Sequence, residues 1–512
     1  MKSNRLAAID IGTNSIRSIV VEADPSGTFR VLDDEKVAVR LGEGLHETGR
    51  ISADAAGRAI AALSRQQKII AAYQVRAIEA VATSAVRKAR NGSEFIQAIK
   101  DQIGLTVTVI SGEVEAELAA LSAINNFELE GSRHLLVDIG GGSLELVMTV
   151  GRHVEKTFTL DLGAVYLTES FLTHDPIDED DLSRLRRHIR KVLRETFGQE
   201  RSTISTMIGS GGTITAMAAM GAAARKESYA SVHGCEILHS DVVHLLAMLL
   251  RKNLKERRNI PGLNADRADI IVAGVIVIDE LLAFFQVNLL KVNERGVREG
   301  LILRGLCKHG MIPAETVRRS WRDAVLDFAA SCHFDRNHAL QVANLALVIF
   351  KVLSRPFSLG AGEGRLLEAA AVLHDIGYFI NYSSHHKHSY HLIAHADLFG
   401  FTPRERELIA NIARYHRKAL PKKKHEPFMR LSVADRLLVE RLAGILRLAD
   451  GLDRSRTGVI EIVDALLSPS RLLLRLQCHG DPAVELYGGS TKSDLFCTAF
   501  HLQLILEPAK PE

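Results

Sequence analysis

The sequence of 512 residues contains only five cysteines, and their placement limits the class of protein. They are scattered, odd in number and without the spacing of metal ligands: Cys235, Cys307, Cys332, Cys478 and Cys497. A disulfide framework or a cysteine zinc site needs paired or closely spaced cysteines. We therefore expect reduced thiols, as in a cytoplasmic protein.

Long hydrophobic runs and a strong charge imbalance are also missing. No apolar stretch reaches the roughly 20 residues that span a bilayer. The segment Met1–Arg5 leads directly into the first expected strand, which leaves no room for a signal peptide. The net charge of +3 is too small to imply nucleic-acid binding. These features predict a cytoplasmic protein whose partners include neither nucleic acid nor a membrane.

Two segments share one pattern, an apolar run that ends in an aspartate followed by Ile-Gly and small polar residues. They are residues 7–15 (AAIDIGTNS) and residues 135–143 (LLVDIGGGS). Glycine permits a tight turn that brings backbone N–H groups close to an anion, and hydroxyls add donors. An aspartate at the strand end can hold the divalent cation that bound phosphates need. The repeat predicts a duplicated fold that grips a phosphate chain from both sides of a cleft, and the alternative is that the segments are two ordinary hairpins.

Hydrophobic periodicity predicts three kinds of region along the chain. Strand and helix signals alternate over the first third and restart near Leu135, which indicates two α/β lobes of related topology. Predicted helices there include residues 53–73, 92–103, 113–124 and 179–197. From Ala314 to about Arg456 the pattern is that of amphipathic helices, and strand-like alternation returns after it. A chain of this length should hold roughly three to four domains.

Six short motifs resemble, in order, those of the exopolyphosphatase and guanosine pentaphosphate phosphohydrolase family, within the superfamily of actin, heat-shock chaperones and sugar kinases. They are residues 10–17 (DIGTNSIR), 82–91 (ATSAVRKARN), 110–116 (ISGEVEA), 138–145 (DIGGGSLE), 209–213 (GSGGT) and 298–300 (REG). The resemblance implies two actin-like (ribonuclease H-like) α/β lobes, an all-α HD-like domain and a small α+β C-terminal domain. The corresponding ranges are 1–128, 129–308, 309–458 and 459–512. It also implies a hydrolase of phosphoanhydrides that forms a homodimer.

Glu115 is the residue that the resemblance implies as catalytic base, because it matches the position of the family's glutamate before alanine. Hydrolysis of a terminal phosphoanhydride needs charge neutralisation, an in-line water and a group that orients or deprotonates this water. The family commonly has two adjacent glutamates here, whereas this chain has Val114 before Glu115, so Glu113 and Glu117 compete for the role. A first-turn glutamate can also simply complement the helix dipole.

Asp138 and Glu145 resemble the family's metal-associated carboxylates, and Asp10 is a third metal candidate. Mg²⁺ prefers few protein carboxylates together with waters and phosphate oxygens. The resemblance therefore implies Mg²⁺, with Mn²⁺ as an alternative ion and K⁺ as a candidate activator. The other role open to Asp10 is to cap the first turn.

Small polar residues of three glycine-rich turns are the candidate phosphate donors: Thr13, Asn14, Ser15, Gly141, Gly142, Ser143, Gly211, Gly212 and Thr213. The last three begin a predicted helix, whose dipole and free amides favour an anion. Arg87 lies in a segment that resembles the family's substrate-facing loop, and a guanidinium suits phosphate. Arg17 and Arg298 are of the same kind, with solvation or a carboxylate partner as the alternative.

Four residues of the helical third resemble, in order and flanks, the HD phosphohydrolase superfamily: His338, the pair His374-Asp375, and Asp450. In that superfamily such residues bind a divalent metal. Three roles stay open for them: a second metal site that catalyses, a regulatory nucleotide site, or a structural remnant in a domain that holds distal substrate and the dimer interface. Lys422–His425 could belong to a distal cationic path or to a solvated loop.

The leading hypothesis is an exopolyphosphatase that removes orthophosphate processively from the end of inorganic polyphosphate with Mg²⁺. The alternative is a guanosine pentaphosphate (pppGpp) phosphohydrolase, which would use the same loops on a nucleotide's terminal phosphate. A third class is a nucleotide-sensing, actin-like module without turnover, which would not need Glu115. A sugar kinase is disfavoured because the segment around Glu115 resembles hydrolases.

Overall fold

The computed structural model describes residues 4–24, 28–129, 131–198, 203–227, 229, 231–313 and 320–508. The chain divides between residues 318 and 319 into two compact units. The predicted domain ranges also contain residues 1–3, 314–319 and 509–512, which lie outside the described residues.

The first lobe of the first unit is a five-stranded sheet with helices. Its elements are β1 (Arg5–Ile11), β2 (Ser15–Ala23), β3 (Phe29–Ala38), α1 (Leu45–Thr48), α2 (Ala53–Ala72), β4 (Ala77–Ala82), α3 (Ser84–Lys88), α4 (Gly92–Ile103), β5 (Thr108–Val109) and α5 (Gly112–Asn126). The strand order is β3-β2-β1-β4-β5, with β1 antiparallel to β2 and parallel to β4. Alternate residues of β1 enter different cores: Ala7 and Ile9 pack with α2, and Leu6 and Ala8 face the opposite layer.

The second lobe repeats this arrangement around a six-stranded sheet. Its elements are β6 (Arg133–Ile139), β7 (Leu144–Val150), β8 (His153–Leu160), α6 (Ala164–Phe171), α7 (Glu179–Phe197), β9 (Thr206–Ser210), α8 (Gly212–Ala224), β10 (Glu236–Leu238), α9 (His239–Leu250), α10 (Leu254–Arg257), α11 (Ile271–Phe285), β11 (Leu289–Val292) and α12 (Val297–Lys308), with a 3-10 turn at Ala265–Arg267. The strand order is β10-β11-β9-β6-β7-β8. Strand β6 is antiparallel to β7 and parallel to β9, as β1 is to β2 and β4. The predicted pair of actin-like α/β lobes is confirmed.

Helix α12 falls within the predicted second lobe, yet it packs against the first sheet. Leu301, Ile302 and Leu306 share a core with Leu6 of β1 and Leu118 of α5. This helix returns to the first lobe from far along the chain, a long-range pairing that local periodicity does not contain. The predicted range 129–308 therefore includes a helix whose core lies in the first lobe.

The second unit is mostly helical and ends in a small sheet. Its elements are α13 (Trp321–Ser331), α14 (Arg336–Ser354), α15 (Ala361–Leu373), α16 (His385–His395), α17 (Pro403–Arg414), α18 (Glu426–Met429), α19 (Val433–Gly451), β12 (Ile460–Ser468), β13 (Arg471–Cys478), α20 (Ala483–Lys492), α21 (Asp494–Phe500) and β14 (Gln503–Pro508), with a 3-10 turn at Ile376–Phe379. The sheet order is β12-β13-β14. One continuous core runs from the helices into this sheet, so the predicted helical and C-terminal regions share their interior.

By length and composition alone, helix α14 could span a membrane. The sequence was expected to contain no segment of this kind. Half of its most apolar window is buried inside the second unit, where Val342, Ala346 and Ile349 belong to the core. Such burial is typical of a core helix in a globular protein. The five cysteines all carry free thiols, as expected.

Candidate functional site

The two glycine turns face a common cleft of about 510 Å³ in the first unit. They have the same backbone geometry, since Gly12 N–H donates to Ser15 O at 3.1 Å and Gly140 N–H donates to Ser143 O at 3.0 Å. Most of the predicted phosphate donors line this cleft: Thr13, Asn14, Ser15, Gly141, Gly142, Ser143, Gly211 and Gly212. The duplicated hairpin that the sequence indicated is thus present in both lobes.

Close approach of the two turns explains the glycines of the second one. A Cβ added to Gly142 would lie 2.7 Å from Ser84 Oγ and 3.0 Å from Thr13 Oγ1. A Cβ on Gly141 would lie 2.9 Å from Thr13 Cβ. Side chains at these positions would force the turns apart, so glycine keeps the two lobes in contact at the cleft.

Three carboxylates stand where the hairpins end. Asp138 pairs directly with Glu145 across β6 and β7, and Asp10 pairs with Arg17 across β1 and β2. Residues opposite each other in an antiparallel pair point to the same side of the sheet, so Asp138 and Glu145 are neighbours. Asp10 Oδ1 and Glu145 Oε1 are buried and have no hydrogen-bond partner among the described residues.

Burial and mutual repulsion raise the pKa values of these carboxyl groups. The pKa of Asp138 rises to about 6, through burial first and the charge of Asp10 second. The pKa of Glu145 lies well above its usual value because of burial and the charges of Glu115 and Asp138. Burial also raises the pKa of Asp10 against the opposing effect of Arg17. Unpartnered carboxylate oxygens crowded together form a donor set that suits a hard divalent cation such as Mg²⁺.

Glu115 lies in the first turn of α5, behind the Ser111 cap that accepts from Val114 N–H. Its side chain is buried, it lines the cleft, and its Oε2 accepts from Arg87 Nη1 at 3.0 Å. Burial raises the pKa of Glu115 to about 7, although the charge of Arg87 opposes the shift. A carboxyl group with a pKa near neutrality is suited to general-base catalysis. Its competitors Glu113 and Glu117 are exposed.

Arg87 and Thr213 occupy positions that the sequence did not indicate. Arg87 Nη1 also donates to Ile110 O at 2.8 Å, so its guanidinium stands behind Glu115 rather than among the cleft-lining residues. Thr213 is buried against Gly274 in the interior of the second lobe, whereas Thr215, two residues further on, lines the cleft. The motif alone does not distinguish which of the two threonines faces the cleft.

A cluster of cations also lines the cleft: Arg17, Lys36, Arg267 and Arg298. Lys36 lies opposite Arg17 in the β2–β3 register. Burial, followed by the charges of Arg267 and Arg17, lowers the pKa of Lys36 to about 8. Burial, followed by the charge of Arg17, lowers the pKa of Arg267 to about 10. Cations that repel one another inside a cleft form a favourable environment for a polyanion.

Lys36 and Arg267 were missed by sequence reasoning. Strand alternation could have found Lys36, because Arg17 was already a candidate and its partner in the hairpin lies on the same side of the sheet. No local signal points to Arg267, which is the last residue of the 3-10 turn after α10 and reaches the cleft only through the folded chain.

The second unit brings together the four residues that resemble the HD superfamily. His338, His374 and Asp450 form one buried group of metal-type donors, and Asp375 forms another with His385 and His416. Within each group the donor atoms lie within 4.8 Å of one another. The lysines of the segment Lys422–His425 are exposed, which suits a solvated loop.

Two related sheets, each carrying an Asp-Ile-Gly hairpin at a shared cleft, define the actin-like class of α/β fold. Within that class, the chain belongs to the Ppx/GppA phosphatase family, whose profile matches residues 19–309. The profile of domain III of the same family matches residues 321–479. The chain is accordingly an enzyme of a phosphatase family, as the motifs predicted.

Named relatives agree with this assignment. The chain is 30% identical over 317 residues to Exopolyphosphatase 2 of Mycobacterium tuberculosis. The aligned region covers 59% of this chain and 99% of the relative. It is similar to the crystal structure of the Aquifex aeolicus Ppx/GppA family member (30% identity, TM-score 0.52, 60% of this chain and 98% of the other). It is also similar to an exopolyphosphatase from Cytophaga hutchinsonii (28% identity, TM-score 0.56, 59% and 98%).

Proposed function

We propose that the chain is an exopolyphosphatase that hydrolyses the terminal phosphoanhydride of inorganic polyphosphate, with Glu115 as general base. The observation that carries the proposal is the position of Glu115, buried at a cleft between two glycine turns with a pKa raised to about 7. The names of the similar proteins from Mycobacterium tuberculosis and Cytophaga hutchinsonii support the choice of substrate.

In the proposed reaction, Glu115 takes a proton from a water molecule that attacks the terminal phosphorus in line. The bridging P–O bond breaks, orthophosphate leaves, and the shortened chain keeps the bridging oxygen. Asp138 and Glu145, with Asp10, would hold Mg²⁺, which when bound neutralises charge on the phosphates. The amides of Gly141 and Gly142 would orient the terminal phosphate.

The cluster of cations in the cleft would bind the phosphates next to the scissile one. Arg17, Lys36 and Arg267 provide positive charge that can contact phosphate groups. Such contacts do not require a nucleobase, which suits a uniform polyanion. No aromatic side chain lines this cleft within the described part of the chain, so a nucleobase would find no ring to stack on there. Processive cleavage, cytoplasmic location, a homodimer and activation by K⁺ stay predictions.

A second pocket supports guanosine pentaphosphate as the second candidate substrate. It has about 330 Å³, adjoins the turns at Thr13 and Gly142, and is lined by His46 and Tyr166. The rings of these two residues lie 4.9 Å apart, edge to face. A guanine could stack on Tyr166 while its terminal phosphate reached Glu115.

The decisive experiment measures Mg²⁺-dependent phosphate release from long-chain polyphosphate and from guanosine pentaphosphate at equal concentrations of terminal phosphate. We expect polyphosphate to be the preferred substrate. In Glu115→Gln the rate of phosphate release should fall by about 10²–10⁴-fold. The matched control is Glu117→Gln, an exposed glutamate of the same helix, which should keep the wild-type rate. Preference for the nucleotide, reduced by Tyr166→Ala, would establish the second candidate instead. Full turnover in a folded Glu115→Gln variant would refute the mechanism.

A further inference from the structure

Two carbonyl oxygens of the second glycine turn are held by the start of α6. Gly140 O accepts from Ala164 N–H at 3.0 Å, and Gly141 O accepts from Val165 N–H at 2.9 Å. In a planar trans peptide the N–H group points away from the carbonyl group that shares its plane. The N–H groups of Gly141 and Gly142 therefore point away from α6, and neither has a partner among the residues that the structure describes.

The next carbonyl oxygen of the turn is held by a side chain of the other lobe. Lys88, the last residue of α3, donates from Nζ to Gly142 O at 3.0 Å. The same ammonium contacts Asp161, which directly follows β8 in the second lobe. The peptide that contains Gly142 O also contains Ser143 N–H, so Lys88 sets the direction of the third amide of the turn.

The first glycine turn shows how the same position is held without a charged side chain. Asn14 stands at the position of Gly142 in the repeated hairpin. Asn14 O accepts from Val39 N–H at 3.1 Å and from Arg40 N–H at 2.9 Å. Both of these donors are backbone groups of the lobe that contains the turn. A charged donor from the opposite lobe therefore distinguishes the second turn from the first.

Helix α3 connects the second turn with the proposed base. Arg87, the neighbour of Lys88, donates to Glu115 Oε2. Two consecutive residues of one short helix thus hold the base and the turn. Within the described part of the chain, Lys88 is not a lining residue of the 510 Å³ cleft, so it contacts the turn from behind.

We propose that Lys88 is a positioning residue of the hydrolysis, whose ammonium fixes the Gly142 peptide so that the amides of the second turn bind the terminal phosphate. A charged donor on this carbonyl also polarises the peptide and strengthens the hydrogen bond that Ser143 N–H can donate. Because Lys88 and the turn belong to different lobes, the contact ties the phosphate-binding amides to the approach of the lobes. This inference rests on the function proposed above and adds a residue to it.

Two other accounts of Lys88 make different predictions. In the first, Lys88 only ties the lobes together through its ion pair with Asp161, whose side chain is 70% exposed. Exposed ion pairs contribute little to stability, which disfavours this account. In the second, Lys88 binds a substrate phosphate directly, since it lines the smaller pocket that contains Tyr166.

The test measures kcat and KM for long-chain polyphosphate, together with the binding of inorganic phosphate by titration calorimetry in the presence of Mg²⁺. We expect Lys88→Met to lower kcat by about 10- to 100-fold, because misplacement of a reacting group by about 1 Å can cost about 10²-fold. Phosphate binding should weaken by at least several-fold. Lys88→Arg keeps a charged donor and should keep most of the rate. The matched control is Lys100→Met, an exposed lysine of α4 in the same lobe, which should change neither quantity.

Asp161→Asn distinguishes positioning of the turn from a tie between the lobes. If Lys88 acts through Gly142, this variant should keep most of kcat, because the ammonium still reaches Gly142 O. An equal loss of kcat in Asp161→Asn and Lys88→Met would overturn the proposal.

Salt dependence distinguishes positioning from direct contact with substrate. The slope of log KM against log salt concentration should be the same in Lys88→Met as in the wild type. A slope that is smaller by about one would mean that Lys88 binds a phosphate itself, and it would overturn the positioning role.

A pH–rate profile separates a failure of this inference from a failure of the proposed function. In Lys88→Met the acid limb set by Glu115 should stay in place while the rate falls at every pH. Full kcat with unchanged phosphate binding in a folded Lys88→Met variant would overturn the role of Lys88 and leave that of Glu115 intact. Full turnover in Glu115→Gln would refute the base, and phosphate binding would still test the turn. If Lys88→Met does not fold, the polar Lys88→Gln should show the same loss, and full kcat there would overturn the proposal.

Discussion

Arg87 Nη1 lies 3.0 Å from Glu115 Oε2, and this ion pair keeps the carboxylate oriented at the edge of the cleft. Arg87 is itself held by Ile110 O, at the turn that precedes α5. The side chain of Glu115 is buried, and the effect of burial on its pKa is larger than the opposite effect of the Arg87 charge. The pKa of Glu115 is therefore about 7. The arginine therefore positions the glutamate and tunes its acidity at the same time.

The pH dependence of phosphate release should follow from this balance. If Glu115 acts as a base, kcat/KM should fall about tenfold per pH unit as pH drops below about 7, since protonation removes the base. Arg87→Ala removes the charge that lowers the pKa, so its acid limb should move to higher pH. Arg87→Lys keeps the charge and should move the limb less. A pH–rate profile checks this, and identical acid limbs in wild type and Arg87→Ala would contradict it.

Removal of a cleft carboxylate should change the metal requirement. Asp138→Asn should raise the Mg²⁺ concentration for half-maximal phosphate release on the order of 10- to 100-fold, because Asp138 is a proposed metal ligand and the neighbour of Glu145. Mg²⁺ titrations of the initial rate measure the change. The control is Asp101→Asn on the exposed face of α4. An unchanged Mg²⁺ dependence of a folded Asp138→Asn variant would remove Asp138 from the metal site.

The cluster of cations in the cleft should govern affinity more than turnover. Arg267→Gln should raise KM for long-chain polyphosphate, and it should reduce the slope of log KM against log salt concentration by about one, since one phosphate contact is lost. Arg251→Gln replaces an exposed arginine at the end of α9 and should change neither quantity. A fall in kcat at constant KM would instead place Arg267 among groups that act in the transition state.

Particular elements show how far the sequence predicts this molecule. Helices α2, α4 and α7 match the predicted ranges within one residue at each end, because amphipathic periodicity is a local property. The two Asp-Ile-Gly hairpins were equally local, since strand, turn and strand are contiguous. Helix α11 was not predicted, because it is buried on nearly all sides and lacks a polar face.

The parts of the site that sequence reasoning missed depend on long-range packing. Arg87 was expected to face substrate and instead supports Glu115, a contact across 28 positions of the chain. Arg267 reaches the cleft beside Gly212, so close that a Cβ there would lie 1.9 Å from the guanidinium. In the second unit, four of the six metal-type donors were implied by the resemblance to the HD superfamily. His385 and His416 were not among the predicted candidates.

The return of α12 to the first lobe should make Gly300 a stability determinant. A Cβ at Gly300 would lie 2.0 Å from Leu118 O, a backbone atom of α5 that cannot rotate away. Gly300→Ala should therefore separate the two helices and destabilise the first unit by about 1–3 kcal/mol. Gly57→Ala is the matched control, because its Cβ would meet nothing within 4 Å and it lies inside α2. That change should stabilise by about 0.5–1 kcal/mol, since alanine favours a helix. Urea unfolding of both variants measures the difference, and equal midpoints would mean that α12 does not require glycine at this crossing.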